Sequence, residues 1–327
     1  MENKLLSIVI PTIGNRELLK VTLASLLPQV EIHQENVEII LSLNGAKDGT
    51  DSLVVDLAKK YQFIKYKIFS DRVDIIPSFV RSVSMTSGKY IIIFGDDDII
   101  FPHGIDKILE LIIDNPLVAI FHYNVLSCKD KGDGKLCRAT VENTSLDTIS
   151  GIMPISEFLK YYAVSGGFIS SVVFKREVWD RGLLCDYKDN LGYGQIMIIY
   201  NGAKDKSCFY YNLPLVVKRV PYKRSWLSKW PYFWLIDIPL LMQKIDNNNI
   251  STGIFDLWNA RENKSMIKYC YTLLNASAYK QTYKPLCHRI NSFQRSKIRK
   301  LLTYLIIYAT PSCFFSFFRH LVYKNIN

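Results

Sequence analysis

The chain has 327 residues, of which 49% are hydrophobic, 13% aromatic and 22% charged. This core-forming composition excludes a disordered or low-complexity protein and leaves room for two compact domains. Seven cysteines, an odd number with no CxxC pair, exclude a disulfide framework and a zinc knuckle and fit a reducing compartment. The net charge of +11 is uneven: 30 of the 41 basic residues precede Asn263 and balance all 30 acidic ones, while residues 263–327 hold eleven Lys and Arg and no Asp or Glu.

In chain order, residues 5–10 form an apolar run ending at Pro11, which predicts a buried strand; the start before it does not read as a signal peptide. Leu19, Leu23 and Leu26 at helical spacing predict a helix over 16–27. Further strands are predicted over 37–43, 66–69, 89–94 and 118–125, with helices over 50–61, 77–86 and 102–113. Strands that alternate with helices and are apolar throughout indicate an α/β fold, a Rossmann-like, mainly parallel sheet covered on both faces. Residues 127–138 read as a polar hairpin turn around Gly132-Asp133-Gly134. Helices at 155–164 and 193–201 and strands at 169–174 and 207–211 make the middle mixed. From Trp226 the pattern is helical, aromatic and finally basic. The predicted division is residues 1–225, with halves at 1–115 and 116–225, followed by a helical extension over 226–327.

Ligands of parallel sheets bind at the carboxyl ends of the strands. Three such ends are polar here: residues 11–15, residues 44–50, and Gly95-Asp96-Asp97-Asp98. The last is the most unusual, because three adjacent carboxylates follow a buried strand and resist burial unless something compensates their charge. A solvated turn or a helix N-cap is the ordinary use of such an Asp. A divalent cation, Mn²⁺ or Mg²⁺, is the use that explains three together. Hard oxygen ligands suit it, and a bound diphosphate supplies the ligands the protein does not. No Walker A sequence, GxGxxG after the first strand, or GxSxG occurs.

The segments LSIVIPTIGNRELLKVTLASLL, VEIILSLNGAKDGT and SGKYIIIFGDDDIIFP, in that order, resemble the nucleotide-sugar half of family 2 glycosyltransferases with the GT-A fold. The Gly-Asp-Asp-Asp form is similar to the abequosyltransferase-like branch of O-antigen synthesis. The resemblance covers residues 5–115, and GGFISSVVFKREVW (166–179) is similar to that branch's acceptor-side strand and helix. It implies a metal-dependent, inverting transferase acting on a nucleotide diphosphate sugar. Pro11 and Thr12 would lie beside base and ribose. Asn44 stands next to the place where relatives carry a base-reading Asp. Asp48 matches a second acidic position, with helix N-capping as its other use. Asp71 and Arg72 follow the third strand, and Arg72 or Arg81 is the candidate partner of the diphosphate. Asp96, Asp97 and Asp98 are the candidate metal ligands. Gly95 stands where relatives place the first Asp, so the pair is either Asp96 with Asp98 or Asp97 with a neighbour. The catalytic base implied by the family is assigned to Asp189, then Asp186.

Residues 289–300 are strongly cationic, and residues 301–318 are uncharged, aromatic and interrupted by Pro311. They read as interfacial segments rather than a membrane span. The expected partners are a nucleotide diphosphate sugar, a lipid-linked saccharide acceptor and an anionic membrane surface, and no nucleic acid. The expected location is cytoplasmic, peripheral on the inner face of the cell membrane. A nucleotidyltransferase and a non-catalytic, membrane-docked nucleotide-binding protein are the alternative readings.

Overall fold

The apolar runs of the first half become strands of one sheet in the computed structural model, which describes residues 4–130, 136–141, 150–162, 168–188, 192–220, 229–263, 266–277 and 279–309. The chain divides into two compact units, Met1–Lys223 and Arg224–Asn327.

In the first unit the strands are β1 (Leu6–Thr12), β2 (Val37–Asn44), β3 (Ile64–Phe69), β4 (Tyr90–Ile93), β5 (Ile99–Ile100), β6 (Ile120–Asp130), β7 (Leu136–Val141), β8 (Gly151–Pro154), β9 (Val172–Lys175) and β10 (Ser207–Val220). Their order is β3-β2-β1-β4-β9-β6-β10-β5, with β7 beside β6 and β8 beside β10. β1 is parallel to β2 and β4, and β2 to β3. β9 lies antiparallel between β4 and β6, and β6 is parallel to β10. The connecting helices are α1 (Arg16–Ile32), α2 (Thr50–Lys60), α3 (Ile75–Val83), α4 (Gly104–Asp114), α5 (Ile155–Tyr162), α6 (Arg176–Gly182) and α7 (Gly194–Gly202). Every residue of β2 and β4 is buried, as strands covered on both faces require. These directions bring the carboxyl ends of β1, β2, β4, β6 and β10 and the start of β9 to one rim.

Several elements differ from the sequence expectation, which did not include β5 or β8 and placed the helix α3 over 77–86. Helix α1 runs through Pro28 to Ile32. The proline removes the hydrogen bond to the Ala24 carbonyl, but both residues are exposed, so water can take that bond's place. Residues Ile169–Ser171 form a 3₁₀ turn, and β9 starts only at Val172. β10 continues nine residues past the predicted end at 211, because its register shifts around Pro214 and then resumes. A proline inside a strand is tolerated at such an irregularity, and it breaks the apolar pattern without ending the strand. The hairpin expected at 127–138 falls on the antiparallel β6–β7 pair, and residues 131–135 lie outside the described residues.

The second unit is helical: α8 (Trp230–Tyr232), a π-turn (Phe233–Asp237), α9 (Ile238–Asn247), α10 (Ile254–Asn263), α11 (Met266–Ser277), α12 (Lys280–Tyr283), α13 (Cys287–Ser292), α14 (Lys297–Tyr304) and a second π-turn (Leu305–Ala309). Leu235, Ile236, Leu273, Tyr283, Ile290 and Ile307 belong to its core. Among the described residues no helix is long and apolar enough to cross a membrane.

Candidate active site

The acidic triplet is the bridge between the middle of the sheet and its far edge. β4 ends at Ile93, Phe94 stays buried, and the chain turns at Gly95–Asp98, where the Asp98 amide donates to the Gly95 carbonyl at 3.4 Å. Directly after Asp98, β5 pairs with β10. The turn therefore spans the strand ends between β4 and β10, the rim at which ligands of such sheets bind.

Each carboxylate of the turn has a different environment. Asp96 Oδ2 lies 2.5 Å from Thr12 Oγ1 at the end of β1. Thr12 Oγ1 is also 2.6 Å from the Gly14 carbonyl and takes the Gly14 amide at 3.1 Å. One hydroxyl proton cannot serve two acceptors, so the arrangement wants a second positive centre or proton at Asp96. Asp98 is 3% exposed. It accepts from Ser170 Oγ at 2.5 Å and from the Arg219 amide at 3.4 Å. Asp97 accepts no hydrogen bond on its carboxylate from another described residue. The Arg219 side chain instead donates from Nε to the Asp97 carbonyl at 3.4 Å. Burial pushes the Asp96 carboxyl up to about 7, the Thr12 hydrogen bond opposes this, and the Asp97 charge adds to it. Asp98 rises to about 8, through burial and then Asp97, while burial raises Asp97 against the pull of Arg219. Three bare carboxylates are thus not at ease here at neutral pH, and the site calls for added positive charge.

The donor set, carboxylate oxygens only, fits a hard divalent cation. Among the described residues no three His, Cys, Asp or Glu side chains converge on one metal position, because Asp96 turns to Thr12 and Asp98 to Ser170. The fit is to an ion that takes one or two carboxylates and completes its shell from a diphosphate.

The other strand ends close around this turn. Asp48 Oδ2 accepts from the amides of Asn15 (2.8 Å) and Arg16 (3.0 Å), and Oδ1 from Thr50 Oγ1 at 2.5 Å. One carboxylate thereby caps α1 and braces the entry to α2. The Thr50 hydroxyl first, then the Arg16 amide, lowers its pKa to about 2. Asn44 is buried and acts as a second peptide: Nδ2 donates to the Val73 carbonyl and Oδ1 accepts from the Val73 amide, both at 2.9 Å. Asn44 Oδ1 also accepts from Arg81, whose guanidinium pairs with Asp71 at 3.3 Å and stacks 3.9 Å over Phe69. Asp71 and Arg72 are exposed on the same loop, and Pro11 is half-buried at the end of β1. The structure joins Thr12 to Asp96 and Asp48 to the Asn15 and Arg16 amides just after β1, with Pro11 preceding Thr12 in the strand, and gathers Asn44, Asp71 and Arg81 into a second cluster.

Several contributors are invisible to motif reading. Ser170, in the 3₁₀ turn, donates to Asp98, accepts from the Gly95 amide (2.8 Å), and is held through its carbonyl by the Tyr123 hydroxyl (2.7 Å). Arg219 reaches the turn because β10 is longer than its apolar run. One face of α1 carries the whole acidic loop. Thr22 Oγ1 donates to the Asp96 carbonyl (3.0 Å), Ser25 Oγ accepts from the Ile100 amide (3.2 Å), and Gln29 bonds both the Phe101 carbonyl (3.0 Å) and the Ile105 amide (3.1 Å). Their i, i+3, i+7 spacing was a signal available in the sequence.

Of the two candidate bases, Asp189 lies outside the described residues. Asp186 is exposed between α6 and α7. Its segment folds toward α3: a Cβ on Gly194 would stand 3.0 Å from the Tyr187 carbonyl and 3.1 Å from Ile76.

Comparison with known proteins bears on the fold that carries this turn. Residues 7–152 match the family model for Glycosyl transferase family 2. Abequosyltransferase RfbV of Salmonella typhimurium is 26% identical over 229 residues, 66% of each protein, so the chain spans just under two thirds of that relative. Among solved structures, S. aureus TarS superimposes with a TM-score of 0.59 at 13% identity over 92% of this chain and 52% of TarS. Mannosyltransferase PcManGT from Pyrobaculum calidifontis, in complex with GDP-Man and Mn²⁺, gives 0.52 at 12% identity over 92% of this chain and 84% of that one. Such identities speak for the fold. The first unit has the mixed, mainly parallel sheet of a GT-A fold, and residues 7–152, just under half of the chain, are similar to family 2 glycosyltransferases.

Proposed function

We propose that the chain is a divalent-cation-dependent glycosyltransferase. It moves a sugar from a nucleotide diphosphate sugar to a hydroxyl of a lipid-linked saccharide or other surface glycan, with inversion. The observation that carries this reading is the acidic turn at the rim, where burial leaves three carboxylates short of positive charge beside Thr12 and Arg219. The names of similar proteins support it: RfbV is an abequosyltransferase, and TarS has been solved with UDP-GlcNAc.

In this reading Pro11 and Thr12 flank the base and ribose, and Asp48 keeps the two helix starts that shape the pocket. Asp97, whose carboxylate accepts no bond from another described residue, is the first ligand for Mn²⁺ or Mg²⁺, with Asp96 or Asp98 as its neighbour. When bound, the ion neutralises the leaving diphosphate. Arg219 and Arg72 add fixed positive charge along the phosphates. The acceptor oxygen attacks the anomeric carbon, the bond to the diphosphate breaks, and the acceptor proton passes to a carboxylate of the segment holding Asp186 and Asp189. The enzyme works at the cytoplasmic face of the cell membrane, where lipid-linked acceptors lie.

Thermal-shift titration with UDP, GDP, CDP and dTDP, with and without Mn²⁺, tests the reading. One nucleotide is expected to raise the melting temperature only when Mn²⁺ is present, and Asp97→Asn is expected to abolish that increment and the turnover of the matching sugar donor. Full turnover by Asp97→Asn in the presence of a chelator would overturn it.

A further inference from the structure

The last described helix of the second unit is apolar on two faces. α14 and the π-turn after it direct Ile307 (0% exposed) inward together with Arg299 (3%) and Thr303 (0%), with Leu302 and Ile306 half-buried beside them. Arg299 lies 4.4 Å over the Tyr269 ring, and Thr303 Oγ1 is 2.7 Å from the Tyr269 hydroxyl. The outward face carries Ile298 (63% exposed), Leu301 (59%), Tyr304, Leu305 (51%) and Tyr308. Positions 298, 301, 305 and 308 follow the helical i, i+3, i+7, i+10 spacing, so these side chains form one stripe. A helix whose only neighbours are protein and water places such residues inside and arginine outside. A contiguous apolar stripe left open marks a docking surface.

Charge identifies the occupant. Lys297 and Lys300 are exposed at the start of the stripe, and Lys284 Nζ stands 4.8 Å over the Tyr308 ring at its other end. Residues 263–327 contain no acid. A second copy meeting this face through the same face would set lysine against lysine. An anionic bilayer offers what the stripe lacks, an apolar layer edged by phosphates.

We propose that this face of α14 and its π-turn docks in the interface of an anionic lipid bilayer. Ile298, Leu301 and Leu305 enter the acyl boundary, Tyr304 and Tyr308 sit at headgroup level, and Lys284, Lys297 and Lys300 contact lipid phosphates. The inference rests on the membrane-face reading above and fixes the surface that does the docking.

Co-sedimentation of the full chain with phosphatidylglycerol-containing and with pure phosphatidylcholine vesicles tests it. The wild type is expected to partition onto the anionic vesicles only. Leu301→Glu with Leu305→Glu is expected to lower that partitioning by at least about tenfold, and Lys297→Gln with Lys300→Gln to weaken it and flatten its salt dependence. Both variants change exposed side chains and are expected to keep the wild-type melting curve and donor turnover. Three results would overturn the proposal: a double Glu variant that sediments as the wild type does; a wild type that ignores anionic vesicles, which removes the membrane-face reading as well; or a dimer in light scattering that the double Glu variant dissociates without loss of vesicle binding. Vesicle binding that needs the stripe in a chain with no donor turnover would uphold the docking face and remove the transferase reading instead.

Discussion

Gly95 and the Asp98 carboxylate occupy one space. A Cβ at position 95 would stand 2.5 Å from Asp98 Oδ2 and 3.2 Å from Asp97 Oδ1, so the missing side chain is what lets Asp98 fold back onto Ser170. Where the family pattern has an Asp at this position, this chain has a neighbouring carboxylate turned into the gap. Ser170→Ala removes the partner of both Asp98 Oδ2 and the Gly95 amide. The expected cost is about 1–3 kcal/mol in urea unfolding, with a larger drop in donor turnover, since the turn that presents Asp97 loosens. Asp48→Ala is the control at the other side of the rim. It is expected to cost about 1–2 kcal/mol through lost capping, and Asp48→Asn less, because an amide oxygen still accepts from the Asn15 and Arg16 amides. The acidic triplet and Asp48 could be picked out from the sequence by their place after apolar runs. Ser170 could not, since 72 residues separate it from Asp98 and nothing local marks a serine that braces a distant turn.

The elements beneath the site repeat the contrast. Leucine spacing announced α1, but the apolar face was only half of its work. The stripe Thr22, Ser25 and Gln29 fixes the loop from Asp96 to Ile105 by four hydrogen bonds. Gln29→Leu keeps the volume, leaves the Ile105 amide without its partner and takes one of two donors from the Phe101 carbonyl, which keeps the Gly104 amide. A loss of about 1–3 kcal/mol is expected, with the weaker nucleotide binding that a loosened rim gives. An unchanged melting temperature would show that Gln29 does not hold the loop and leave Thr22, Ser25 and β5 to do so. On the far side of the sheet, His122 in β6 bonds the Tyr200 hydroxyl of α7 at 2.6 Å and stacks 4.5 Å from Phe158 of α5. Burial pushes its pKa down to about 3, so the imidazole is neutral when folded, while in the unfolded chain it takes a proton near 6.5. At this residue the unfolded state therefore binds more protons below that value, and its contribution lowers stability as pH drops from about 6.5 toward 3. Asp96 and Asp98, raised to about 7 and about 8, act in the opposite direction, because the fold holds protons there that the unfolded chain has released. The His122 contribution is therefore read as a difference: below about pH 6.5 the urea midpoint of the wild type is expected to fall relative to that of His122→Gln. The sequence showed a lone histidine near a strand end. Only the packing of three elements around it sets its charge.

At the scale of the molecule, charge is divided unevenly along the chain. The 30 acidic residues all lie before Asn263 and match the basic residues there, and the +11 excess belongs to the last 65 residues. Under the proposed function, a balanced body leaves donor recognition to short-range contacts at the rim, since its long-range field largely cancels, and the basic end attracts an anionic bilayer from a distance. Salt screens that attraction, because the Debye length falls from about 10 Å at 0.1 M to about 3 Å at 1 M. Ionic strength should therefore separate the two functions in one sample. Raising sodium chloride from about 0.1 to 0.5 M is expected to release most of the vesicle-bound protein, while turnover of the donor with a soluble acceptor changes by less than about twofold. On vesicles carrying a lipid-linked acceptor, turnover is expected to fall together with the bound fraction. A donor reaction in solution as steep in salt as the membrane partitioning would place the basic end in the catalytic cycle itself. A flat response of both would remove electrostatics from the docking and leave the exposed stripe of α14 as its sole apolar cause.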